Sequence, residues 1–346
     1  VLVRALVNTA ADPSAVPLPS RDAADFHASM PDYRPTPVRD LRSLAAELGL
    51  GSVGLKDESL RLGLPAFKVL GASWAIERAL RERPDVHTLV AASAGNHGRA
   101  VANVAARRGL KARVYLSDRS APARREAIAG EGAEVVLVDG SYEDACALAA
   151  TVAGQDGMLE VADVGDSGPA SWVIDGYATL FAEAGPGWDL VMVPVGVGSL
   201  AAAAARYGAE AGARVIGVEA ATAPCLTASL AAGEPTVVPT PGTTMAGLDC
   251  AEVSVAAWPV LRCGIHGTVT VPDPEVHAAM RELADLGFTI GDSGAAPLAA
   301  LRALACDAAA TELRDAVGLG PDTRVLLIAT EGATDPAGYA DVIGRP

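Results

Sequence analysis

The sequence predicts an α/β protein with parallel-rich sheets arranged in two lobes, and three observations carry that expectation. Strand-length apolar runs alternate with helix-length stretches in two separate blocks, one beginning at Thr88 and one at Leu190. Half of the residues are hydrophobic and only 4% aromatic, so the core is made of Ala, Val and Leu, which suits strands covered by helices on both faces. At 346 residues the chain is too long for a single small core.

The elements follow in order. The first forty residues are rich in Pro, Asp and Arg with little periodicity, which predicts an arm wrapping over a core or a partner. A short helix over 42–50 is expected to end at Gly51, followed by a strand over 52–56 and a helix over 68–83. Apolar runs at 88–92, 112–116 and 134–138 are bounded by turn residues and separated by helical stretches at 96–109, 121–130 and 142–153. That rhythm specifies a parallel sheet with right-handed crossovers. A run at 158–162 leads to a loop over 163–170 and a helix through Trp172 to 184. The alternation resumes with a strand at 190–195, a helix at 199–211 and a strand at 215–219. A strand near 268–271, helices at 273–286 and 295–309, and a last buried strand at 324–329 complete the chain. Two alternating blocks imply two lobes with a cleft between them, where small ligands usually sit.

Composition excludes several classes of function. A formal charge of −15 argues against nucleic acid or an anionic membrane as partner. No apolar run reaches membrane-spanning length and the first residues lack the basic-then-apolar pattern of a signal peptide, so a cytoplasmic protein is expected. Cys146, Cys225, Cys250, Cys263 and Cys306 include no CxxC pair, and no disulfide framework is expected. Cys263 and His266 lie close in sequence, but no second ligand pair accompanies them and no metal site is expected.

The basic residues single out chemistry. Of 27 basic residues only Lys56, Lys68 and Lys111 are lysines. Guanidinium is a very poor nucleophile, whereas a desolvated amine condenses with carbonyls. Lys68 sits in Pro65-Ala66-Phe67-Lys68-Val69-Leu70-Gly71-Ala72-Ser73, whose apolar flanks favour the neutral amine; the plain alternative is an ordinary solvated charge. Gly196, Val197, Gly198, Ser199 and Leu200 follow an apolar strand and open a helix, so free N–H groups and the positive end of the helix dipole point outward as a phosphate cradle would need. A tight strand-to-helix turn explains the same residues, since neither a GxGxxG fingerprint nor a Walker lysine is present. Ser93-Ala94-Gly95-Asn96-His97-Gly98 occupies a similar turn, where Asn96 could cap the next helix and His97 reads best as a packed loop histidine. Asp292 or Ser293 could cap the helix after Gly291, and Thr330-Glu331-Gly332 ends the last strand at the carboxyl edge where cofactor sites gather.

The order of these motifs resembles the fold type II pyridoxal-phosphate enzymes, relatives of tryptophan synthase β and threonine dehydratase. The chain is most similar to the diaminopropionate ammonia-lyases. The resemblance rests on Val53-Gly54-Leu55-Lys56-Asp57-Glu58-Ser59, Ala66-Phe67-Lys68-Val69-Leu70-Gly71 and Gly95-Asn96-His97-Gly98-Arg99. It continues through Trp172-Val173-Ile174-Asp175-Gly176-Tyr177-Ala178-Thr179-Leu180, Thr244-Met245-Ala246-Gly247-Leu248, Gly291-Asp292-Ser293-Gly294-Ala295 and the stretch from Leu327 to Pro336.

The resemblance implies a two-lobed tryptophan synthase β-like architecture, with 1–87 and 164–346 as the large cofactor-binding domain and 88–163 as a small α/β domain. It implies pyridoxal 5′-phosphate as cofactor, Lys68 as its Schiff-base lysine and α-proton base, and Phe67 beside it. Asn96 would bond the ring oxygen, the Gly196–Leu200 loop the phosphate, and Thr330 the pyridine nitrogen, with Ala329 one residue away as the alternative. Ser93 and Ala94 would line the substrate, and Asp163, with Asp166, would supply a substrate-facing carboxylate. Ala94 departs from the ammonia-lyases, which carry Asp there as a second base. Ser93-Ala94-Gly95-Asn96-His97 is instead the wording of L-threonine and L-serine dehydratases, and the loop after Asp163 is shortened. The expected activity is α,β-elimination of an amino or hydroxyl group from an L-amino acid, giving a 2-keto acid and ammonia, by a homodimer. Serine/threonine dehydration or β-replacement is the runner-up, and a non-catalytic sensor is the reading from a different class.

Overall fold

In the computed structural model, which describes residues 3–162, 165 and 168–344, the apolar runs fall into two separate sheets. The strands among the described residues are β1 (Arg4–Val7), β2 (Val38–Asp40), β3 (Ser52–Asp57), β4 (Thr88–Ala92), β5 (Lys111–Ser117) and β6 (Glu134–Val138). β7 (Met158–Glu160), β8 (Leu190–Pro194), β9 (Arg214–Ala220), β10 (Gly267–Val271) and β11 (Arg324–Ala329) follow. Seven of them form a sheet ordered β1-β10-β9-β8-β11-β3-β2, and four form a sheet ordered β6-β5-β4-β7. The chain divides accordingly into one unit of Val1–Phe67 with Ala178–Pro346 and another of Lys68–Tyr177.

Burial explains the strand order. Every residue of β8 and β10 is buried, as are all but the first of β9 and β11, and these runs sit inside the larger sheet in parallel pairs. A strand covered on both faces reads as a continuous apolar run, which is how they read in the sequence. The two edges differ. β1 and β2 are short, partly exposed, and pair antiparallel with β10 and β3. The Pro- and Arg-rich arm therefore supplies both edge strands of the larger unit, together with the helix Asp22–Ala28. The core of this unit joins Leu190, Met192, Val325 and Leu327 of the sheet to Leu298, Leu301 and Leu304 of the helix Asp292–Cys306. Each such side chain contributes about 1.5–3 kcal/mol on burial.

Several expectations shift. The helix over 42–50 is Arg42–Leu48, closed by Gly49 at φ +64° rather than by Gly51. A left-handed C-terminal residue stops the helix earlier than the apolar pattern suggests. The helix expected from 295 starts at Asp292 and ends at Cys306, and Cys225–Ala232, Trp258–Gly264 and Pro336–Ile343 are helices that the pattern did not mark. The division between units falls at Phe67/Lys68 and Tyr177/Ala178, not at 87/88 and 163/164. The reason is local packing. The Lys68 helix, Val69–Glu82, lies against the following helix Asn96–Arg108 and, at Gly71, against Val173 and Tyr177, where an added Cβ would come within 2.6 Å of the tyrosine ring.

Each sheet has a point where its order reverses. In the smaller one, β4, β5 and β6 run to one side and β7 returns to the other flank of β4. In the larger one, β8, β9 and β10 run one way while β11 lies on the opposite flank of β8. Loops diverge at such points and leave room for ligands at the carboxyl ends of the strands.

Candidate active site

The larger unit gathers the loops after β8 and β11. After β8 the chain turns through Gly196, Val197 and Gly198, and Gly198 at φ +93° is the residue from which the helix Ser199–Ala211 springs. No side chain caps that helix start, and the positive end of its dipole lies at this turn, where an anion is favoured. A Cβ on Gly196 would collide with Gly247 O, so the backbone of the Thr244–Leu248 motif closes directly on the loop. Val197 O accepts from Ser254 N at 2.8 Å.

From Gly247 a series of hydrogen bonds joins the other motifs. Gly247 N donates to Ser293 Oγ at 3.2 Å, Ser293 N donates to Glu331 Oε1 at 3.2 Å, and Gly291 N donates to Glu331 O at 3.0 Å. Gly332 N donates to Pro65 O at 3.0 Å, and Phe67 N donates to Thr330 O at 3.2 Å. Ser293 thus bridges two loops, and the N-terminal cap of its helix is Gly291, neither Asp292 nor Ser293. Asp292 meets His277 Nε2 at 3.5 Å, and the same nitrogen lies 3.1 Å from Thr244 Oγ1.

Thr330 ends this series. Its side chain is buried, and Oγ1 has no hydrogen-bond partner among the described residues. A buried hydroxyl left so costs about 1–3 kcal/mol, unless a bound group meets it. Ala329 beside it ends β11 with a methyl group, while its carbonyl accepts from Glu58 N at 2.9 Å. A phosphate held by the amides after Gly196, on a ring with an atom for Thr330, fits these residues.

The smaller unit holds Lys68 and the turn after β4. Lys68 is half-buried at the N-terminal cap position of its helix, whose next residues, Val69 to Ile76, are all buried. The turn carries Ser93, whose Oγ accepts from Gly95 N at 3.3 Å, and Ala94, which has no acceptor on its side chain. Gly95 is the cap and Asn96 the first residue of the helix Asn96–Arg108, so capping does not account for Asn96. His97, the second residue of that helix, is buried with Nε2 2.7 Å from Val161 O, a packed histidine on a helix and not in a loop. Asp163 and Asp166 lie outside the described residues. Lys111 is exposed at the start of β5.

Electrostatics behind the glycine loop are set by Glu219, wholly buried on β9. It accepts from Leu226 N at 2.6 Å and from Thr227 N at 2.8 Å. Burial pushes its carboxyl up to about 7, against the pull of those bonds. Burial also pushes the Cys225 thiol up, and Cys225 Sγ donates to Gly196 O at 3.5 Å. His266 Nδ1 accepts from Val215 N at 3.1 Å, which commits that nitrogen to the backbone.

Arg61 and Glu183 were not marked by any sequence motif, while Ser293 and Glu331 lay inside marked motifs without their bridging contacts being foreseen. The only available signal was an alternation of charges beyond a strand, Lys56-Asp57-Glu58 to Arg61, which reads equally as a solvated face. In the same stretch Leu62 adopts φ +52°, the one positive-φ residue other than glycine among the described residues, at a cost of about 1–2 kcal/mol.

The chain is similar to known proteins. The family model described as pyridoxal-phosphate dependent enzyme matches residues 30–331. The diaminopropionate ammonia-lyase of Salmonella typhimurium is 34% identical over 363 aligned residues, which span 92% of this chain and 90% of that one. The biosynthetic L-threonine dehydratase of Escherichia coli is 31% identical over 273 residues, 77% of this chain and 52% of its own. Among solved structures, E. coli diaminopropionate ammonia lyase in complex with an aminoacrylate-PLP azomethine reaction intermediate superposes with a TM-score of 0.90 at 31% identity, covering 99% of this chain and 97% of that one. The chain belongs to the family of pyridoxal-phosphate-dependent enzymes and has the fold type II architecture.

Proposed function

We propose that the protein eliminates a β-substituent from an L-amino acid, releasing a 2-keto acid and ammonia, with L-2,3-diaminopropionate as the preferred substrate. The observation that carries this reading is the buried hydroxyl of Thr330, which has no partner among the described residues, on the residue whose carbonyl fixes Phe67, next in the chain to Lys68. Bound pyridoxal 5′-phosphate supplies an electron sink for the charge that develops at the substrate α-carbon. Lys68 would hold the cofactor covalently, and its amine would take the substrate α-proton. Backbone amides from Gly196, Val197, Gly198, Ser199 and Leu200 hold the phosphate. Asn96 bonds the ring oxygen, and Phe67 borders the ring. Thr330 meets the pyridine nitrogen with a neutral hydroxyl, which limits protonation there and suits elimination over transamination. Ser93 and Ala94 line the substrate, and Asp163, aided by Asp166, pairs with a β-ammonium group and orients it for departure. Water then hydrolyses the released enamine.

Ala94 makes the reaction L-selective, because its methyl group accepts no proton and Lys68 is left as base on one face of the α-carbon. A second reading, L-serine or L-threonine dehydration, is favoured by Ser93-Ala94-Gly95-Asn96-His97 and by the similarity to threonine dehydratase. Keto-acid release from L- and D-2,3-diaminopropionate, L-serine and L-threonine, with Lys68→Ala as control, tests both. The expected order places L-diaminopropionate first and its D-isomer at background. Comparable rates on the two isomers would refute the single-base assignment, and faster turnover of L-threonine would transfer the reading to a dehydratase. A cytoplasmic homodimer completes the proposal, supported by the family resemblance.

A further inference from the structure

Beyond β3, a set of buried charges surrounds one guanidinium. Nη1 and Nη2 of Arg61 donate to Oε1 and Oε2 of Glu183, each at 2.7 Å. Nε and Nη2 donate to Oε2 and Oε1 of Glu58 at 2.8 and 2.6 Å. Nη1 also donates to Arg34 O at 3.2 Å and Nη2 to Thr36 Oγ1 at 2.9 Å. Lys56 Nζ donates to Glu183 Oε2, Thr36 O and Thr36 Oγ1, each at 2.6 Å. Thr36 N donates to Glu183 Oε2 at 3.1 Å, and the Tyr33 hydroxyl donates to Glu183 Oε1. Two cations thus balance two carboxylates, all with side chains 5% exposed or less. Burial pushes the Glu183 carboxyl up, but the hydrogen bonds and charges of Arg61 and Lys56 prevail and hold it at about 2.

Such a set is a weak source of net stability, because desolvation offsets the attraction, yet paired forks demand one geometry. What they fix is the chain that follows. Arg61 N donates to Leu64 O at 2.7 Å and Leu64 N returns to Arg61 O at 2.9 Å, closing a turn through Leu62 at φ +52° and Gly63 at φ +85°. Ala66 then pairs with Glu331, Phe67 N bonds Thr330 O, and Lys68 comes next.

We propose that Arg61, held by Glu58 and Glu183, is a positioning residue for Lys68. Its clamp stabilises the strained Arg61–Leu64 turn, which sets the register of residues 65–67 on Thr330–Gly332 and so the point from which Lys68 departs. The inference rests on the Schiff-base role proposed for Lys68.

The test compares Glu183→Gln with Glu183→Gln/Leu62→Gly, since glycine adopts a positive φ without strain. Hydrogen exchange in the cofactor-free protein reads the Leu64 and Phe67 amides, and titration with pyridoxal 5′-phosphate reads affinity and the visible absorbance of the bound cofactor. Glu183→Gln is expected to speed exchange at those two amides and to weaken cofactor binding by about tenfold, the size of one strained residue, while β8 and β9 keep their protection. Leu62→Gly in that background is expected to recover most of both losses. Exchange that quickens evenly through β8 and β9, or a failure of Leu62→Gly to rescue, would overturn the proposal. Should Glu183→Gln not fold, Tyr33→Phe removes one donor from the same carboxylate. It is expected to shift the same amides less, and unchanged exchange there would also overturn it. If Lys68→Ala leaves cofactor affinity and absorbance unchanged, the role of Lys68 itself fails, whereas the exchange readout still decides the clamp.

Discussion

Lys56 and Lys68 stand in contrasting surroundings. Lys56 is wholly buried, and its ammonium donates to a carboxylate and to both oxygens of Thr36. Lys68 is half-buried at the head of a helix whose first two turns are apolar and buried. Burial alone therefore does not make a lysine reactive. Acceptors and carboxylates around the Lys56 amine commit it to structure, and the chemical role stays with the lysine proposed at the head of the helix. The larger unit spends Lys56 on holding a loop, and the smaller unit opens with Lys68, the proposed Schiff-base lysine.

That contrast breaks most visibly at the two lysines themselves. Lys68→Ala is expected to lower kcat by at least about a thousandfold, the scale of a lost proton-transfer group, while the denaturation midpoint moves little. Steady-state kinetics beside urea unfolding checks both halves. Lys56→Met should do the reverse. It leaves part of the Glu183 and Thr36 acceptor set unmet in the interior, and a loss of about 3 kcal/mol in unfolding free energy is expected, with kcat retained in the fraction that folds. If Lys56→Met abolished kcat in folded protein and Lys68→Ala unfolded the chain, the assignments would have to be exchanged.

The sequence carried Lys68 further than it carried Lys56. Its scarcity and its apolar flanks are local facts, and so is the glycine turn after an apolar strand, which the structure places at the point where the sheet order reverses. The helices Tyr142–Ala153 and Ser199–Ala211 were equally legible. The first has a capping box at Ser141 and Asp144, and the second an apolar strand and glycines before it. Lys56 was not legible because its partners, Thr36 and Glu183, are distant in sequence, and no periodicity announces a contact made by folding. β1 and β2 were missed for a related reason. Each is a short edge piece with charged residues, so its strand state comes from pairing with β10 or β3 rather than from its own pattern. Ser293 looked like a helix cap and is instead a bridge between two loops, a distinction that only the partner of Gly247 N reveals.

Acid sharpens the comparison from the side of Lys56. The Glu183 carboxyl lies at about 2 in the folded protein against an ordinary value of 4.5, so the folded state binds its proton less tightly than the unfolded chain. The stabilisation is present above pH 4.5 and is lost as pH falls toward 2, and the shift corresponds to about 3 kcal/mol. Unfolding free energies of the parent and of Glu183→Gln, measured from pH 7 to pH 3, are expected to converge as the pH falls. A difference that stayed constant through that range would show that the carboxylate is not what the cluster holds.

The smallest expected effect concerns Thr330, where the clamped loop meets the proposed cofactor. Replacing Thr330 by valine keeps the shape and removes a buried hydroxyl that has no partner among the described residues. In the cofactor-free protein the change should be neutral or stabilising by about 1 kcal/mol, because no hydrogen bond within the described structure is lost. With pyridoxal 5′-phosphate added the sign should reverse. The hydroxyl would then be missing from the ring, and affinity should fall by about tenfold, the worth of one hydrogen bond. Thermal midpoints with and without the cofactor read both signs in one experiment. A variant destabilised equally in the two states would mean that Thr330 serves the fold, and the partner of the pyridine nitrogen would have to be sought elsewhere.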